Sequence, residues 1–176
     1  MSVQPLDQAT LKYWLKYYPK SGNFRWRVKP NRRILVNSIA GYLTKQGYMV
    51  IKLDGRNLLK ASRLAWLYVT GEFPEQDIDH KDRNPENNKW RNLRPATREQ
   101  NVFNRGIPKH NNSGILGVAF VERVGRKSKW HARIRVKRKG IYLGAFDRME
   151  DAVAARLAAE KKYFKSFRPS KVRKLK

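Results

Sequence analysis

The chain has 176 residues, 40 of them Lys or Arg against 14 Asp or Glu, for a formal charge of +26. That excess is far beyond what solubility needs, and it points to a polyanionic partner, nucleic acid first. No apolar run of membrane-spanning length and no signal peptide is present, so a soluble, cytoplasmic protein is expected. The absence of cysteine excludes disulfides and thiolate zinc sites, and the three histidines are too far apart for a local metal motif. A metal ion here would need oxygen ligands or an isolated imidazole.

Charge divides the chain. Residues 1–75 carry +9, 76–105 only +2, and 106–176 +15. Carboxylates gathered where phosphate must approach repel it unless a cation offsets them, which favours a metal-dependent site in the middle.

In chain order, Leu11, Trp14, Leu15 and Tyr18 have the spacing of one apolar helix face, stopped by Pro19 and Ser21-Gly22. Phe24, Trp26 and Val28 alternate with Arg25, Arg27 and Lys29, as in a half-buried strand. Tyr48 to Leu53 repeats that alternation and meets Asp54-Gly55, a hairpin signal, with the next strand near Asn57 to Lys60. A helix is expected at Leu64 to Val69, capped by Gly71. Residues 1–75 thus read as a small α+β platform, either for packing or for DNA contact.

Gln76 to His80 reads as a strand, Lys81 to Arg91 as a polar loop, then a short strand follows. Thr97 to Gln100 has the capping-box pattern, starting a helix near Arg98 that holds Asn101 and then Asn104. Residues 106–114 read as a linker. Three strands are expected at 116–123, 129–137 and 140–146, with Gly125 and Gly140 near the turns. A helix from Arg148 to Phe164, with Asp147 as its cap, and a basic tail at 167–176 complete the chain.

The middle segment offers what phosphodiester hydrolysis needs: a base, a cation ligand and a group that orients the base. Asp79-His80, Asp82-Arg83-Asn84-Pro85-Glu86-Asn87-Asn88, Asn92-Leu93-Arg94 and Glu99-Gln100-Asn101 together resemble the HNH nucleases, with spacings of 12 and 9 residues from His80 to Asn92 to Asn101. The resemblance implies a ββα-metal motif over 76–105, with His80 as general base and Asn92 holding the loop. It also implies Asp79 and Asn101 as ligands of one Mg²⁺ or Mn²⁺. Some members place metal-ligand histidines where this chain has Asn101 and Arg105, a difference that disfavours zinc. Plain structural readings stand beside these: Asp79 as a cap or a partner of Arg83, His80 as a satisfied buried imidazole, and Arg94 as a phosphate clamp or a surface ion pair.

Toward the C-terminus, Trp130, Ala132, Ile134 and Val136 alternate with His131, Arg133, Arg135 and Lys137, giving one apolar and one basic face. A basic sheet face suits the major groove, or it is simply solvated. Gly117-Val118, Lys129-Trp130, Ala132 to Arg135, Tyr142-Leu143-Gly144, Phe146 and the Ala-rich helix are similar to the ethylene-response-factor DNA-binding domain, placed at 115–166. The similarity implies a three-stranded antiparallel sheet on one helix, with Arg133, Arg135 and Tyr142 touching DNA. Ala119 and Val121 stand where plant members carry arginines, which argues against a plant-like sequence preference.

The whole resembles phage or mobile-element homing endonucleases. The expectation is an α+β, site-preferring, metal-dependent enzyme that cuts double-stranded DNA, acting in a bacterial host cell if phage-encoded. It would be monomeric or dimeric. The alternatives are a DNA-binding regulator that does not cut, and an RNA-binding protein of the translation apparatus.

Overall fold

The computed structural model describes residues 6–53, 58–103, 111, 113–122, 127 and 129–167. The chain is mixed α+β and divides into two compact units, Met1–Arg98 and Glu99–Lys176.

The first unit opens with helix α1, Gln8–Trp14, whose Asp7 side chain caps it by accepting from the Thr10 amide at 2.7 Å. The helical spacing of Leu11 to Tyr18 overshoots the helix. Leu15 is already extended (φ −131°, ψ 147°), and Leu15–Tyr18 is strand β1, paired antiparallel with β2, Asn23–Trp26. Leu15 and Tyr17 share one face of a period-2 strand and are both buried, whereas Tyr18 of the helical set is only half-buried, so Leu15 alone suits both periods and pairing with β2 decides between them. The turn between the strands needs Gly22 at φ 83°, because a Cβ there would lie 2.5 Å from the Asn88 carbonyl carbon.

Strands β3 (Tyr42–Leu43), β4 (Met49–Ile51) and β5 (Leu59–Lys60) form a meander in that order, and helix α2, Ala61–Thr70, follows. Gly71 caps α2 in the left-handed conformation, as expected. The Asp54-Gly55 hairpin signal and Asn57 lie outside the described residues. Strands β6 (Asp77–His80) and β7 (Leu93–Ala96) pair antiparallel across the polar loop, which ends in a 3-10 turn at Trp90–Asn92. All of this shares one core: Leu11, Leu15, Phe24, Ile51, Leu64 and Leu93 are buried together, with Ile78 and Trp90 packed against them. The platform and the β6–β7 hairpin therefore fold as one body.

Helix α3, Arg98–Phe103, begins at the boundary between the units. In the second unit, β8 (Val118–Val121), β9 (Lys129–Val136) and β10 (Lys139–Phe146) make an antiparallel sheet with β9 central, and helix α4, Met149–Phe164, packs on it. Val118, Ala132 and Ile134 from the sheet meet Ala152, Ala159 and Phe164 from the helix. Arg156 is buried in this layer, bonded to Glu160 at 3.0 Å and to the Arg133 carbonyl at 2.7 Å.

Gly140 lies near the β9–β10 turn, as expected, but does not make it. It pairs with Arg135 inside β10, while Lys137 and Arg138 take the left-handed conformation (φ 47° and 64°), because a two-residue hairpin turn must match the right-handed twist of its strands. Asp147 does not cap α4 either. Arg148 holds the cap position without a side-chain bond, and Asp147 pairs instead with Lys127 at 2.9 Å and Lys129 at 3.7 Å.

Candidate active site

His80 ends β6, directly opposite Leu93, and Asp79 lies opposite Arg94. That register brings the Arg94 guanidinium onto one carboxylate oxygen: Asp79 Oδ2 accepts from Nε at 2.8 Å and lies 2.7 Å from Nη2. Both side chains are largely buried, at 8% and 15% exposure. Arg94, expected either on phosphate or in a surface pair, is thus the enclosed partner of Asp79. Cross-strand opposition places the two charges together.

His80 is buried, and its Nε2 lies 3.1 Å from Asn88 Oδ1. Asn88 Nδ2 donates to the Glu86 carbonyl, so Oδ1 is the atom facing the ring, and it can only accept. Nε2 therefore carries the proton, and Nδ1 holds the lone pair in the neutral ring. Burial pushes the imidazole below its ordinary value, with the Lys60 ammonium acting in the same direction. The bond to Asn88 and the Asp82 and Asp79 carboxylates oppose this without overcoming it. A neutral His80 at pH 7 can accept a proton.

The loop that holds Asn88 is ordered by its own side chains. Asn92 Nδ2 donates to Asp82 Oδ1 at 2.9 Å and to the Asn87 carbonyl at 2.7 Å, and its Oδ1 accepts from the Asp82 amide at 3.1 Å. Asp82 also accepts from the Asn84 amide and from Asn87 Nδ2. Burial alone would raise the Asp82 carboxyl, but these hydrogen bonds outweigh it and hold the group below its usual range. From outside the loop, Tyr17 Oη donates to the Asn88 carbonyl at 2.6 Å, and the Trp90 amide donates to the Pro19 carbonyl. The β1–β2 hairpin is thus a buttress for the loop that presents Asn88 to His80.

Asn88, Tyr48 and Lys60 are the residues the sequence reading left out of the site. The Tyr48 ring lies 6.3 Å from the His80 ring, and Lys60 Nζ sits 4.3 Å from the Tyr48 ring centre. Asn88 stood in the sequence only as one of several Asn of the loop that shares in the HNH resemblance, eight residues after His80. Nothing local marked Tyr48 or Lys60, which reach the site through the β3–β5 meander.

Asn101 lies in α3 and is half-buried, in the second unit. Asn104 and Arg105 fall outside the described residues. Among the described residues no group of three His, Cys, Asp or Glu side chains could hold a metal by itself. The Asp79 carboxylate, with the oxygens of phosphate and water, offers the oxygen donors that a hard divalent ion takes.

On the sheet of the second unit, Arg133, Arg135 and Tyr142 are exposed, and Tyr142 pairs with Arg133 across β9 and β10. His131, expected on the same exposed basic face, is instead buried at 8% exposure. It lies on the central strand between Ala119 and Ala145, with the Tyr142 ring 5.6 Å away. Lys137 is exposed on the turn rather than in β9, and its amide donates to the Glu99 carboxylate. Among the described residues no helix is long and apolar enough to cross a membrane.

No curated protein and no solved structure matches the chain. The family described as HNH endonuclease matches residues 59–103, about a quarter of the chain, from β5 to the end of α3. That span contains Asp79, His80, Asn92 and Asn101, and the match supports nuclease activity in general: residues 59–103 are an HNH endonuclease domain.

Proposed function

We propose that the chain is a site-preferring, homing-type DNA endonuclease that hydrolyses phosphodiester bonds with His80 as general base and one divalent ion. The observation that carries this reading is the buried His80 imidazole, held through Nε2 by Asn88 so that Nδ1 is the basic nitrogen, inside the HNH match.

Nδ1 of His80 takes a proton from water as the water oxygen bonds to phosphorus, and the bond from phosphorus to the 3′ oxygen breaks. Asn88 keeps the ring in the required tautomer, and Asn92 keeps Asn88 in place by tying Asp82 to Asn87. Asp79 and Asn101 would hold Mg²⁺ or Mn²⁺, which when bound would stabilise negative charge on the phosphate and the departing oxygen. Arg94 holds the Asp79 carboxylate in orientation.

Double-stranded DNA is gripped by the β8–β10 sheet, whose three strands on one helix support an ethylene-response-factor-type reading, with Arg133, Arg135, Tyr142 and Lys137 at the surface. His131 is left to support Tyr142 from below. One catalytic motif per chain implies that a monomer nicks, and a double-strand break needs two chains or two events.

Supercoiled plasmid incubated with the full chain should relax with Mg²⁺ or Mn²⁺ and stay supercoiled with a chelator. Failure to cut any DNA with either ion would leave a non-cleaving DNA-binding protein. Arg133→Ala with Arg135→Ala should weaken DNA binding at least tenfold. An unchanged affinity and footprint would remove the sheet from the interface.

A further inference from the structure

Residues 8–53 hold ten Lys and Arg and no Asp or Glu. Within this acid-free stretch lies a cluster of exposed apolar side chains, with Leu35 at 66%, Ile39 at 52% and Tyr42 at 55% exposure. They line one open cleft of about 410 Å³, together with Trp26, Arg33 and Lys52. Exposed apolar groups gathered in a concave place mark a binding site, and this volume falls within the roughly 300–1,000 Å³ of small-ligand clefts.

The cleft is built rather than incidental. Trp26 is tied on both sides of its peptide, its amide donating to the Ser38 carbonyl at 3.1 Å and its carbonyl accepting from Asn37 at 2.8 Å. Gly41, at φ 94°, packs so closely that a Cβ would lie 2.4 Å from the Val50 carbonyl oxygen. The walls are therefore fixed by backbone before any ligand arrives.

We propose that this cleft receives an unstacked DNA base, with Tyr42, Leu35 and Ile39 against the base and Arg33 and Lys52 on the adjoining phosphates. An aromatic ring beside apolar side chains gives a base a surface to stack on once it leaves the helix. Two cations at the rim supply the sequence-independent grip. Charge complementarity selects this occupant over the same cleft of a second copy, which would bring Arg33 and Lys52 against their own like charges. The inference rests on the proposed function only in taking DNA as partner, and it does not need cleavage.

The test uses the full chain with chelator present and two labelled duplexes. One carries a single unpaired thymidine at its centre, and the other carries an abasic residue at the same place. The wild type should bind the thymidine bulge about tenfold more tightly than the abasic one, the lower part of the range for one stacked base. Tyr42→Ala should erase that preference and leave the salt dependence of binding unchanged. Arg33→Met should keep the preference and reduce the salt slope by about 0.9. Both side chains lie at the surface of the cleft, and an unchanged unfolding temperature will show that the variants fold.

Equal binding of the two duplexes by the wild type overturns the proposal, as does a preference that survives Tyr42→Ala combined with Leu35→Ala. A wild-type dimer in sedimentation that Tyr42→Ala dissociates would assign the cleft to a second copy and overturn it too. If the chain binds neither duplex, the DNA reading falls with it. If it discriminates the bulges but never cuts plasmid, the cleft stands and the nuclease reading falls.

Discussion

Asn92 makes three hydrogen bonds with its side chain, to Asp82 and to the Asn87 backbone, and it does so from a buried position. Asn92→Ala removes all three, and at about 1 kcal/mol each it should destabilise the first unit by roughly 2–3 kcal/mol in denaturant unfolding. Asn88→Ala is a different experiment. It frees the His80 tautomer while leaving most of the loop bonds, so cleavage should slow at least tenfold with DNA affinity unchanged. Arg94→Met removes the guanidinium from a largely enclosed carboxylate and should cost about 3 kcal/mol of stability. Asp82 supplies the pH dependence. Its folded-state value lies below the usual 3.8, so its contribution is complete above that pH and is lost as pH falls through the folded value. Thermal unfolding from about pH 5 downward should show this loss, and Asp82→Asn should flatten the curve. That His80 ends a strand and that Asn92 holds the loop was legible in the sequence, because a motif fixes their spacing. Asn88 was not, because which amide of the loop meets the imidazole depends on a backbone path that turns at Arg83, φ 64°.

At the scale of elements, the strands that carry the site were readable from turn chemistry and alternation: β6, the polar loop, β7 and the start of α3 fall where the sequence places them. The end of α1 was not readable, because Leu15 suits both the helix face of Leu11 and the buried strand face of Tyr17, and only β2 chooses. Those residues anchor the shared core beneath the β6–β7 hairpin, so Leu11→Ala, at a site with 0% exposure, should cost about 3–5 kcal/mol. Which residues make the β9–β10 turn was not readable either. Glycine is the usual residue for left-handed backbone, yet here Lys137 and Arg138 accept it. Arg138→Gly should therefore stabilise the second unit by about 1 kcal/mol, raising its melting temperature, and no change would mean the turn carries no strain.

Over the whole molecule, +26 charge is unevenly placed, and the least basic segment, 76–105, contains the candidate centre. Asp79, Asp82 and Glu86 sit there, and the Asp79 carboxylate is paired with Arg94. Binding should therefore be carried by the flanking basic segments and fall steeply with salt, whereas substitutions at His80 should change cutting and not affinity. The uneven charge was visible in the sequence; the inclusion of the platform and the β6–β7 hairpin in one core was not, because it depends on Leu93, Ile78 and Trp90 meeting Leu11 and Leu64 across the sequence. The most direct measurement is the single-turnover rate of plasmid nicking with Mg²⁺ by the wild type and by His80→Ala, at equal DNA occupancy. A loss of at least a hundredfold in the variant, with binding unchanged, is the expected result; equal rates would contradict His80 as the base.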